Sequence, residues 1–401
     1  MKIVYCLNSI KGIGGIQRVT VVKANALAEI EGNEVFVLVT DNQQNVQCEK
    51  LSDKVKFIHL DVNYYEDDWL PGLKTKISQF KKKRKHKQEL KKVLNSIQPD
   101  VVISVGQSEK FICRKGFVTT SKPIYIRELH FVTHYRNILA KTFTEKIKAK
   151  IQNDLDFGFF CKYFYDAVIP LTPKDLETNW KDFQNVWFVP NPITTNLQVR
   201  EEERKNQINN KEKKIVGIGR LTFIKNFKSL INAFSKIAKE FPEWSLEIYG
   251  DGEDHQMLLN LIEEKKLKNQ VFLKGFTNDV EGILNNSSIL ALTSMMEGFP
   301  LVMFEAMSHG NAVVSYDCDY GPSFIIDDHE NGFLVENGNE EDFAQKLALL
   351  MKDDVLLKSF AKSSIEKSFK YTPEIISHQW MRLFKEIKLK KIASTYHSEQ
   401  S

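Results

Sequence analysis

Short apolar runs alternate with amphipathic segments along the chain, and this alternation restricts the fold more than any other feature of the sequence. Seven runs in the first half have the length and content of buried strands, at 2–8, 34–40, 57–60, 101–106, 123–128, 167–172 and 186–191. Six more lie in the second half, at 214–220, 246–250, 270–275, 288–294, 312–316 and 332–335. Such alternation is typical of parallel sheets covered by helices. We therefore predict an α/β protein whose two domains flank one cleft.

The boundary between the two domains is predicted from a change in composition. Residues 198–214 are polar and charged and offer little that could form a core, so we interpret them as a linker. The expected organisation is a first domain at 1–197, the linker at 198–214 and a second domain at 215–372. Residues 373–401 are expected to form a last helix and a tail, and this helix could pack back onto either domain.

Composition limits the cellular setting. The 401 residues are 42% hydrophobic, which is enough for substantial cores. No run of about 18 apolar residues occurs, and the first residues lack the pattern of a signal peptide. We therefore expect a cytoplasmic protein. The five cysteines show no metal-ligand spacing, and we expect all of them to be reduced.

Positive charge is concentrated in the first half. Residues 1–195 carry 30 Lys and Arg against 21 Asp and Glu, whereas the remainder carries 26 against 31. A strongly basic run, residues 81–87, lies within a predicted amphipathic helix. It is either a solvated helix face or a contact for anionic lipid headgroups or a pyrophosphate-linked acceptor. Nucleic acid is disfavoured, because no reader motif accompanies the charge.

The segment Glu297-Gly-Phe-Pro-Leu-Val-Met-Phe-Glu305 follows a predicted buried strand and carries a carboxylate at each end. Glu297 would lie in the loop at the carboxyl end of that strand, where doubly wound sheets bind ligands. Glu305 would lie on the next helix, whose first N–H groups attract phosphate. Its two oxygens could accept hydrogen bonds from the vicinal hydroxyls of a ribose. A glutamate pair at a fixed spacing also arises by chance.

Two cations follow the first strand of the second domain. Gly219 and Arg220 stand at its carboxyl end, and Lys225 and Asn226 precede a helix. Fixed positive charge there would stabilise the charge that develops on a departing diphosphate, with arginine acting as a bidentate fork and lysine as a point charge. Two solvated basic residues are the alternative.

Three further positions have both a structural and a functional interpretation. Gly250, at the end of the next strand, suits either a tight turn or a close approach to a ligand. Gly14 and Gly15 open the first helix, where N–H groups could bind an oxyanion. His130 follows a strand end and could contact a sugar or an acceptor, although a lone histidine is more often structural.

Taken together, these motifs resemble the retaining glycosyltransferases of family 4, which belong to the glycosyl transferases group 1. The matching segments are Gly14-Gly15, Leu171-Thr-Pro-Lys-Asp175, Pro190-Asn-Pro192, Gly219-Arg220-Leu221, Lys225-Asn226, Gly250-Asp251-Gly252, Glu297 to Glu305 and Asn331-Gly-Phe-Leu-Val335. The resemblance implies the GT-B fold, in which two Rossmann-like, doubly wound domains face a central cleft. The donor would bind in the second domain and the acceptor in the first.

The resemblance also implies roles for these residues. Arg220 and Lys225 would hold the donor diphosphate, and Glu305 would hold the ribose. Glu297, Gly298, Phe299, Pro300 and Leu301 would surround the hexose, while Gly14 and Gly15 would close over the phosphate and His130 would stand beside the reacting sugar. Gly219, Asn226 and Gly250 complete the expected nucleotide-sugar site. Many family members have an acidic residue where this chain has Phe324.

The family is associated with transfer from UDP- or GDP-activated sugars without a required metal or other cofactor. We therefore expect a metal-independent hexosyltransferase that uses a nucleotide sugar, with UDP favoured over GDP, and a lipid-linked or polysaccharide acceptor in cell-surface glycan biosynthesis. The basic first half predicts peripheral association with the anionic inner face of the plasma membrane. The alternatives are a glycogen- or sucrose-synthase-like enzyme with a soluble acceptor and a non-catalytic protein that binds sugar nucleotides.

Overall fold

The computed structural model describes residues 1–10, 14–41, 50–67, 72–106, 114, 115, 117, 121–133, 135–195 and 201–399. The chain divides into two compact units. The first comprises Met1–Pro192 together with Pro373–Ser401, and the second comprises Ile193–Thr372. The first unit therefore ends at Pro192, five residues before the predicted boundary, and takes in the C-terminal helix.

The first unit is built on a six-stranded parallel sheet. Its strands are β1 (Lys2–Leu7), β2 (Glu34–Val39), β3 (Val55–His59), β4 (Val101–Ser104), β5 (Ile124–Glu128) and β6 (Ala167–Ile169), in the order β3-β2-β1-β4-β5-β6. The central strands are buried on both faces, which explains their near-continuous Val and Ile content. The predicted strand at 186–191 is wrong, because only Val186 pairs, in an isolated bridge to Val168. Prolines at 190 and 192 have no N–H to donate to a ladder.

Helices cover this sheet. They are α1 (Gly15–Glu29), α2 (Gly72–Ile97), α3 (Tyr135–Leu139), α4 (Phe143–Asn153), α5 (Lys162–Phe164) and α6 (Pro173–Asn179), with a π-helix at Asp154–Cys161 and a 3₁₀ turn at Tyr64–Asp67. The basic run lies on α2. There Lys82 donates to Glu66, and the His86 ring contacts the Tyr64 hydroxyl at 3.2 Å. Part of the run therefore stabilises the chain at 61–66.

The second unit repeats the same plan. Its strands are β7 (Lys214–Ile218), β8 (Ser245–Tyr249), β9 (Val271–Gly275), β10 (Ile289–Leu292), β11 (Ala312–Tyr316) and β12 (Gly332–Val335), in the parallel order β12-β11-β10-β7-β8-β9. All six coincide with predicted strands. Both sheets have the Rossmann strand order, in which the order reverses between the first and fourth strands.

Nine α-helices follow in the described chain from residue 201 onward. They are α7 (Glu201–Gln207), α8 (Phe227–Ile237), α9 (His255–Glu264), α10 (Val280–Asn286), α11 (Leu301–Ser308), α12 (Pro322–Ile325), α13 (Glu340–Lys352), α14 (Asp354–Ser368) and α15 (Pro373–Glu399). On α8 the predicted apolar stripe, including Leu230 and Phe234, is buried. Each such side chain contributes about 1.5–3 kcal/mol. On α15, Trp380 is buried within the first unit, with its ring 5.3 Å from the Lys23 ammonium.

The predicted linker at 198–214 is largely structured where it is described. It forms α7 and a short 3₁₀ turn at Ile208–Asn210, and it belongs to the second unit. Arg204 is buried there and donates a hydrogen bond to Asn285 at 3.0 Å. Composition gave no sign of this, because the segment is anchored by a polar contact instead of an apolar face.

Candidate active site

Most of the predicted site residues lie at one edge of the second sheet. The strand order reverses between β7 and β10, and the crevice outside the carboxyl ends of such strands is the usual ligand site of doubly wound sheets. The loop after β7 carries Gly219, Arg220 and Lys225, and the loop after β10 carries Glu297. Sheet topology therefore brings these two motifs together, although more than 70 residues separate them.

Lys225 and Glu297 form an ion pair. The Nζ atom of Lys225 donates to Oε1 of Glu297 at 2.5 Å, and the two side chains are 26% and 11% exposed. The Ser294 hydroxyl donates to the same oxygen at 2.7 Å. Because a lysine ammonium has three donors, two remain for a further ligand. Sequence reasoning had placed Lys225 and Glu297 in separate roles and had missed Ser294.

Arg220 lies exposed in the same loop, and within the described residues it has no ion-pair or hydrogen-bond partner. Gly219 precedes it with φ +158, and a Cβ atom there would lie 3.2 Å from Cε of Lys225. The glycine thus leaves room for the aliphatic part of Lys225. The result is one neutralised and one uncompensated cation on the same short loop, which is an arrangement that favours an anion.

Gly250 supports this loop from the neighbouring strand. Its φ is +140, and a Cβ atom would lie 1.9 Å from the carbonyl oxygen of Gly219. The backbone N–H of Leu221 also donates to the Asp251 carbonyl at 2.9 Å. The close contact between the backbones at Gly250 and Gly219 explains why a glycine is needed here. The geometry therefore favours a structural role for Gly250 over a close approach to a ligand.

Asn226 ends the loop in the left-handed conformation, with φ 49 and ψ 45, as the N-cap of α8. Asparagine tolerates this conformation better than most residues. Its side-chain amide donates to the Ser229 hydroxyl at 3.0 Å, and its carbonyl accepts from the Thr293 hydroxyl at 2.9 Å. Asn226 therefore anchors the end of the loop, next to Lys225, where α8 begins.

Glu305 lies on α11 and is buried, with 3% of its surface exposed. Its Oε1 atom accepts a hydrogen bond from the Thr194 hydroxyl at 2.5 Å. His309 is the C-cap residue of α11, and its Nδ1 atom is 2.7 Å from the Glu305 carbonyl oxygen. Since a carbonyl only accepts, Nδ1 carries the hydrogen. Neither Thr194 nor His309 was singled out from the sequence.

His309 makes the second unit sensitive to acid. Burial, together with the charges of Arg204 and Lys211, lowers the pKa of His309 to about 4 from its usual 6.5. Below pH 6.5 the His309 ring therefore binds a proton in the unfolded chain but stays neutral in the native state. The free energy of unfolding decreases for this reason as the pH falls towards 4. At pH 5 we expect a loss of about 2 kcal/mol relative to pH 7 from this residue.

Urea unfolding of His309→Asn at pH 7 and pH 5 would measure this loss. Asparagine keeps a donor near the position of Nδ1 but does not titrate, so the pH dependence should shrink by that amount. The matched control is His255→Asn, at an exposed position on α9 of the same unit, which should keep the wild-type pH dependence. An unchanged pH dependence in His309→Asn would contradict the assignment.

The turn before α11 is held by aromatic packing. Gly298 and Pro300 shape the turn, Pro300 is the N-cap of α11, and Leu301 is its first residue. Phe299 stacks on Phe304 with a centroid distance of 5.3 Å. The ring of Phe324, where the chain departs from the family pattern given above, has its centroid 6.2 Å from that of Phe299 and 5.9 Å from that of Tyr371. The departure at Phe324 thus accompanies an aromatic cluster and leaves no buried polar gap.

The remaining predicted residues belong to the first unit. Gly14 is the N-cap of α1 and Gly15 is its first residue, both exposed, while the preceding residues 11–13 lie outside the described chain. A Cβ atom at Gly14 would meet the flexible Gln17 side chain at 2.4 Å. Whether these glycines and His130 face the second-unit loops across a cleft stays a prediction.

His130 belongs to a buried charge cluster. Its Nε2 atom lies 3.3 Å from Oε1 of Glu128, and the same oxygen accepts from the Lys23 ammonium. Burial, reinforced by the charges of Lys23 and Arg127, lowers the pKa of His130 well below its usual value. His130 is therefore neutral at pH 7. Its partners come from α1 and from the strand before it, and sequence patterns gave no sign of Lys23.

A small pocket lies beside His130 in the first unit. Arg136 lines it and is held by Asp156 at 2.5 Å and by Asn153 at 2.9 Å. Half of the remaining lining residues are aromatic, namely Phe131, Tyr135, Phe157, Phe160 and Tyr165. An aromatic wall with a guanidinium suits a ligand that has both apolar faces and hydroxyl or phosphate groups.

The described residues contain no cluster of three or more His, Cys, Asp or Glu side chains that could hold a metal ion. Cys6, Cys161 and Cys318 are buried thiols, whereas Cys48 and Cys113 lie outside the described residues. Burial and the nearby Glu297 carboxylate raise the pKa of Cys318 to about 12. Cys318 is therefore an inert thiol beside the site.

The sequence motifs and this geometry agree with a comparison against known families. Residues 198–367 match the model described as glycosyl transferases group 1. This part of the chain is similar to members of that family. The match covers every candidate residue of the second unit, from Gly219 to Glu305, and includes no residue of the first unit.

Two bacterial relatives differ in how much of the chain they resemble. A poly(glycerol-phosphate) alpha-glucosyltransferase of Bacillus subtilis is 34% identical over 54% of this chain and 32% of its own length. The chain thus spans about a third of that relative's length. An uncharacterized glycosyltransferase of Haemophilus influenzae is 27% identical over 94% of this chain and 98% of its own length.

A solved structure matches both units. A mutant of S. aureus TarM, crystallised with fondaparinux, alpha-GlcNAc-glycerol and UDP, is 18% identical with a TM-score of 0.70, covering 96% of this chain and 99% of that one. At this identity the likeness concerns the fold alone, and it confirms the predicted GT-B fold.

None of the described helices is long and apolar enough to cross a membrane.

Proposed function

We propose that this chain is a retaining, metal-independent glycosyltransferase that moves a hexose or N-acetylhexosamine from a nucleotide diphosphate sugar to a lipid-linked or polysaccharide acceptor in cell-surface glycan biosynthesis. The observation that carries the proposal is the Lys225–Glu297 pair beside the exposed Arg220 at the switch point of the second sheet. UDP is favoured over GDP, and the UDP of the TarM complex supports this choice.

The two cations have different tasks in this proposal. Arg220 offers a bidentate fork to the diphosphate before and after the reaction. Lys225 gives one donor to Glu297 and can direct the others at the leaving oxygen, where charge develops. Glu297, oriented by Ser294, then lies within reach of the hexose hydroxyls. The pair therefore couples recognition of the sugar to stabilisation of the leaving group.

The transfer step needs no dedicated base. The bond from the anomeric carbon to the diphosphate oxygen breaks, the acceptor oxygen bonds to the same face of that carbon, and the acceptor proton passes to the departing diphosphate. The configuration is then retained. If neutral His130 were instead a base on the opposite face, the configuration would invert. Product stereochemistry, read by NMR, therefore separates these two roles for His130.

The first experiment is a thermal-shift screen against UDP, GDP and ADP and then against the matching sugar nucleotides, because a ligand that binds only the native state raises its stability. We expect a shift with one nucleoside diphosphate and a larger one with its sugar. Turnover with that donor should persist in EDTA. No saturable binding of any nucleoside diphosphate at millimolar concentration would end the proposal.

The ribose contact can be tested separately. We propose that the Glu305 carboxylate accepts hydrogen bonds from both ribose hydroxyls. Glu305→Gln replaces this carboxylate by an amide, which can accept through one oxygen only. Hydrogen bonds to a charged group contribute about 1.5–3 kcal/mol, so UDP affinity measured by calorimetry should fall at least about tenfold. The exposed Glu264→Gln on α9 is the control. Equal affinities in the two variants would argue against ribose recognition by Glu305.

Association with an anionic membrane surface is part of the proposal, and so is a cytoplasmic location. The excess of positive charge in residues 1–195 supports it. On α2, Lys81, Lys83, Arg84 and Lys87 are exposed, and such residues each add about 1 kcal/mol of attraction near an anionic surface. A lipid-linked acceptor would be reached most easily from there.

A further inference from the structure

A continuous apolar stripe lies on the outside of the first unit. It consists of Phe143, Ile147, Ile151, Leu155, Phe159 and Tyr163, spaced four residues apart along α4, the π-helix and α5. These six side chains are between 46% and 79% exposed. Single exposed apolar residues are ordinary on a protein surface, but an aligned row is a sign of an interaction site.

The helix that carries the stripe is firmly built. Thr142 and Glu145 form a capping box, in which each side chain accepts from the backbone N–H of the other. The opposite face of α4 points into the unit through Ala149 and Asn153, and both are buried. The larger apolar side chains of α4 therefore face outward, which is the reverse of an ordinary surface helix.

The π-helix keeps the stripe straight. In an α-helix a step of four residues overshoots the 3.6-residue turn, so a row spaced by four winds gradually around the axis. The wider π-helical turn makes the same step fall short of a full turn, which reverses this drift. The eight π-helical residues at Asp154–Cys161 thus hold Leu155 and Phe159 in line with the α4 residues. The row extends for about 30 Å.

Lysines border the stripe. Lys141, Lys146, Lys148, Lys150 and Lys162 are exposed along the segment, against exposed carboxylates of Glu145 and Asp154. Glu145 is occupied by the capping box, and Asp156 is paired with Arg136. The border is therefore predominantly positive. An apolar face with a lysine-rich margin is typical of helices that lie in the plane of an anionic bilayer.

We propose that the stripe at 143–163 inserts into the headgroup region of an anionic lipid bilayer and is the principal membrane-docking surface of this protein. This inference extends the proposed membrane association, and it moves the main contact from the basic run of α2 to a surface that was not predicted. Lipid fits better than a second copy of the chain. In a two-fold symmetric dimer formed through this face, the five lysines of one copy would lie against the same five lysines of the other. Lysine is also depleted at protein interfaces.

The test is co-sedimentation of the full chain with vesicles of phosphatidylglycerol and phosphatidylcholine, and with phosphatidylcholine alone. The variant Phe143→Ser, Ile151→Ser, Phe159→Ser removes three apolar side chains that are each at least 47% exposed. Its partition coefficient on anionic vesicles should fall about 100-fold or more, because each buried residue of this size contributes substantially. Wild-type binding should weaken in 0.5 M salt and be much lower on the neutral vesicles.

The matched control is Ile77→Ser, Phe80→Ser, which removes two exposed apolar residues from α2 of the same unit. It should lose far less binding than the triple variant. An equal loss in the control, undiminished binding by the triple variant, or equal wild-type binding to neutral and anionic vesicles would overturn the proposal. So would a wild-type dimer, detected by light scattering, that the triple variant converts to monomer without any vesicle binding.

The UDP thermal shift measured on the same samples keeps this inference separate from the proposed enzymatic function. The triple variant should retain the wild-type response to UDP, because its residues lie outside the second unit. Lost vesicle binding with an intact UDP response supports the docking surface. If UDP never binds but the vesicle results hold, the glycosyltransferase proposal fails and the docking surface stands.

Discussion

Replacing Lys225 with alanine is expected to lower turnover with the matching sugar nucleotide by about 100-fold or more. Loss of one preorganised donor to a developing negative charge costs about 2.7–4 kcal/mol in transition-state stabilisation. Here the loss is compounded, because Glu297 would keep its charge beside the leaving group without its 2.5 Å partner. The effect should fall on kcat more than on KM, since the charge to be stabilised develops in the transition state.

Two further variants make the Lys225 result specific. Lys228→Ala removes an exposed lysine three residues away on α8 and should turn over like the wild type. Lys225→Arg keeps the charge but changes its geometry, so it should recover only part of the lost activity. Circular dichroism and thermal melting show whether each variant is folded. Turnover of a folded Lys225→Ala at the wild-type rate would remove Lys225 from the catalytic group.

Gly250→Ala is expected to destabilise the second unit by about 3 kcal/mol, since strained backbone and overpacking each cost about 1–3 kcal/mol. The added Cβ atom would stand 1.9 Å from the Gly219 carbonyl oxygen, at a φ of +140 that L side chains rarely adopt. The loop that carries Arg220 would have to move. Thermal unfolding should show a midpoint lower by roughly 6–12 °C.

Gly338→Ala is the matched control for Gly250→Ala. It also has a positive φ, +87, but a Cβ atom there meets nothing within 4 Å. Gly338→Ala should therefore lower the free energy of unfolding only by the cost of an alanine in a left-handed backbone conformation, about 1–2 kcal/mol. The difference between the two variants measures the steric contact with Gly219. Equal losses would mean that the strands β7 and β8 separate easily at this point.

Much of the fold could be predicted because strands of this kind are local features. Val and Ile runs, such as those of β7 to β12, are long enough to be recognised and are bounded by polar residues. Prediction was wrong for the strand at 186–191, where prolines prevent pairing. The linker at 198–214 also differed, because Arg204 is buried by hydrogen bonding and composition does not encode that partner.

The candidate site could be predicted only in part. The motif residues Arg220, Lys225, Glu297 and Glu305 were found by their position after strands and at a helix start. Their partners were not, because Ser294, Thr194 and His309 are ordinary residues whose roles depend on contacts formed in the folded chain. The role of Lys23 beside Glu128 and His130 depends on a contact across 105 residues.

The sequence by itself determined the two parallel-sheet domains and the polar residues available at their loop ends, because strand formation and turn formation depend on neighbouring residues. Only the tertiary structure decided that Lys225 pairs with Glu297, since the order of strands in the sheet brings β7 beside β10. It also decided which face of 143–163 is exposed. Apolar residues occur on both faces of that segment, so the pattern alone could not tell which face the protein core would take.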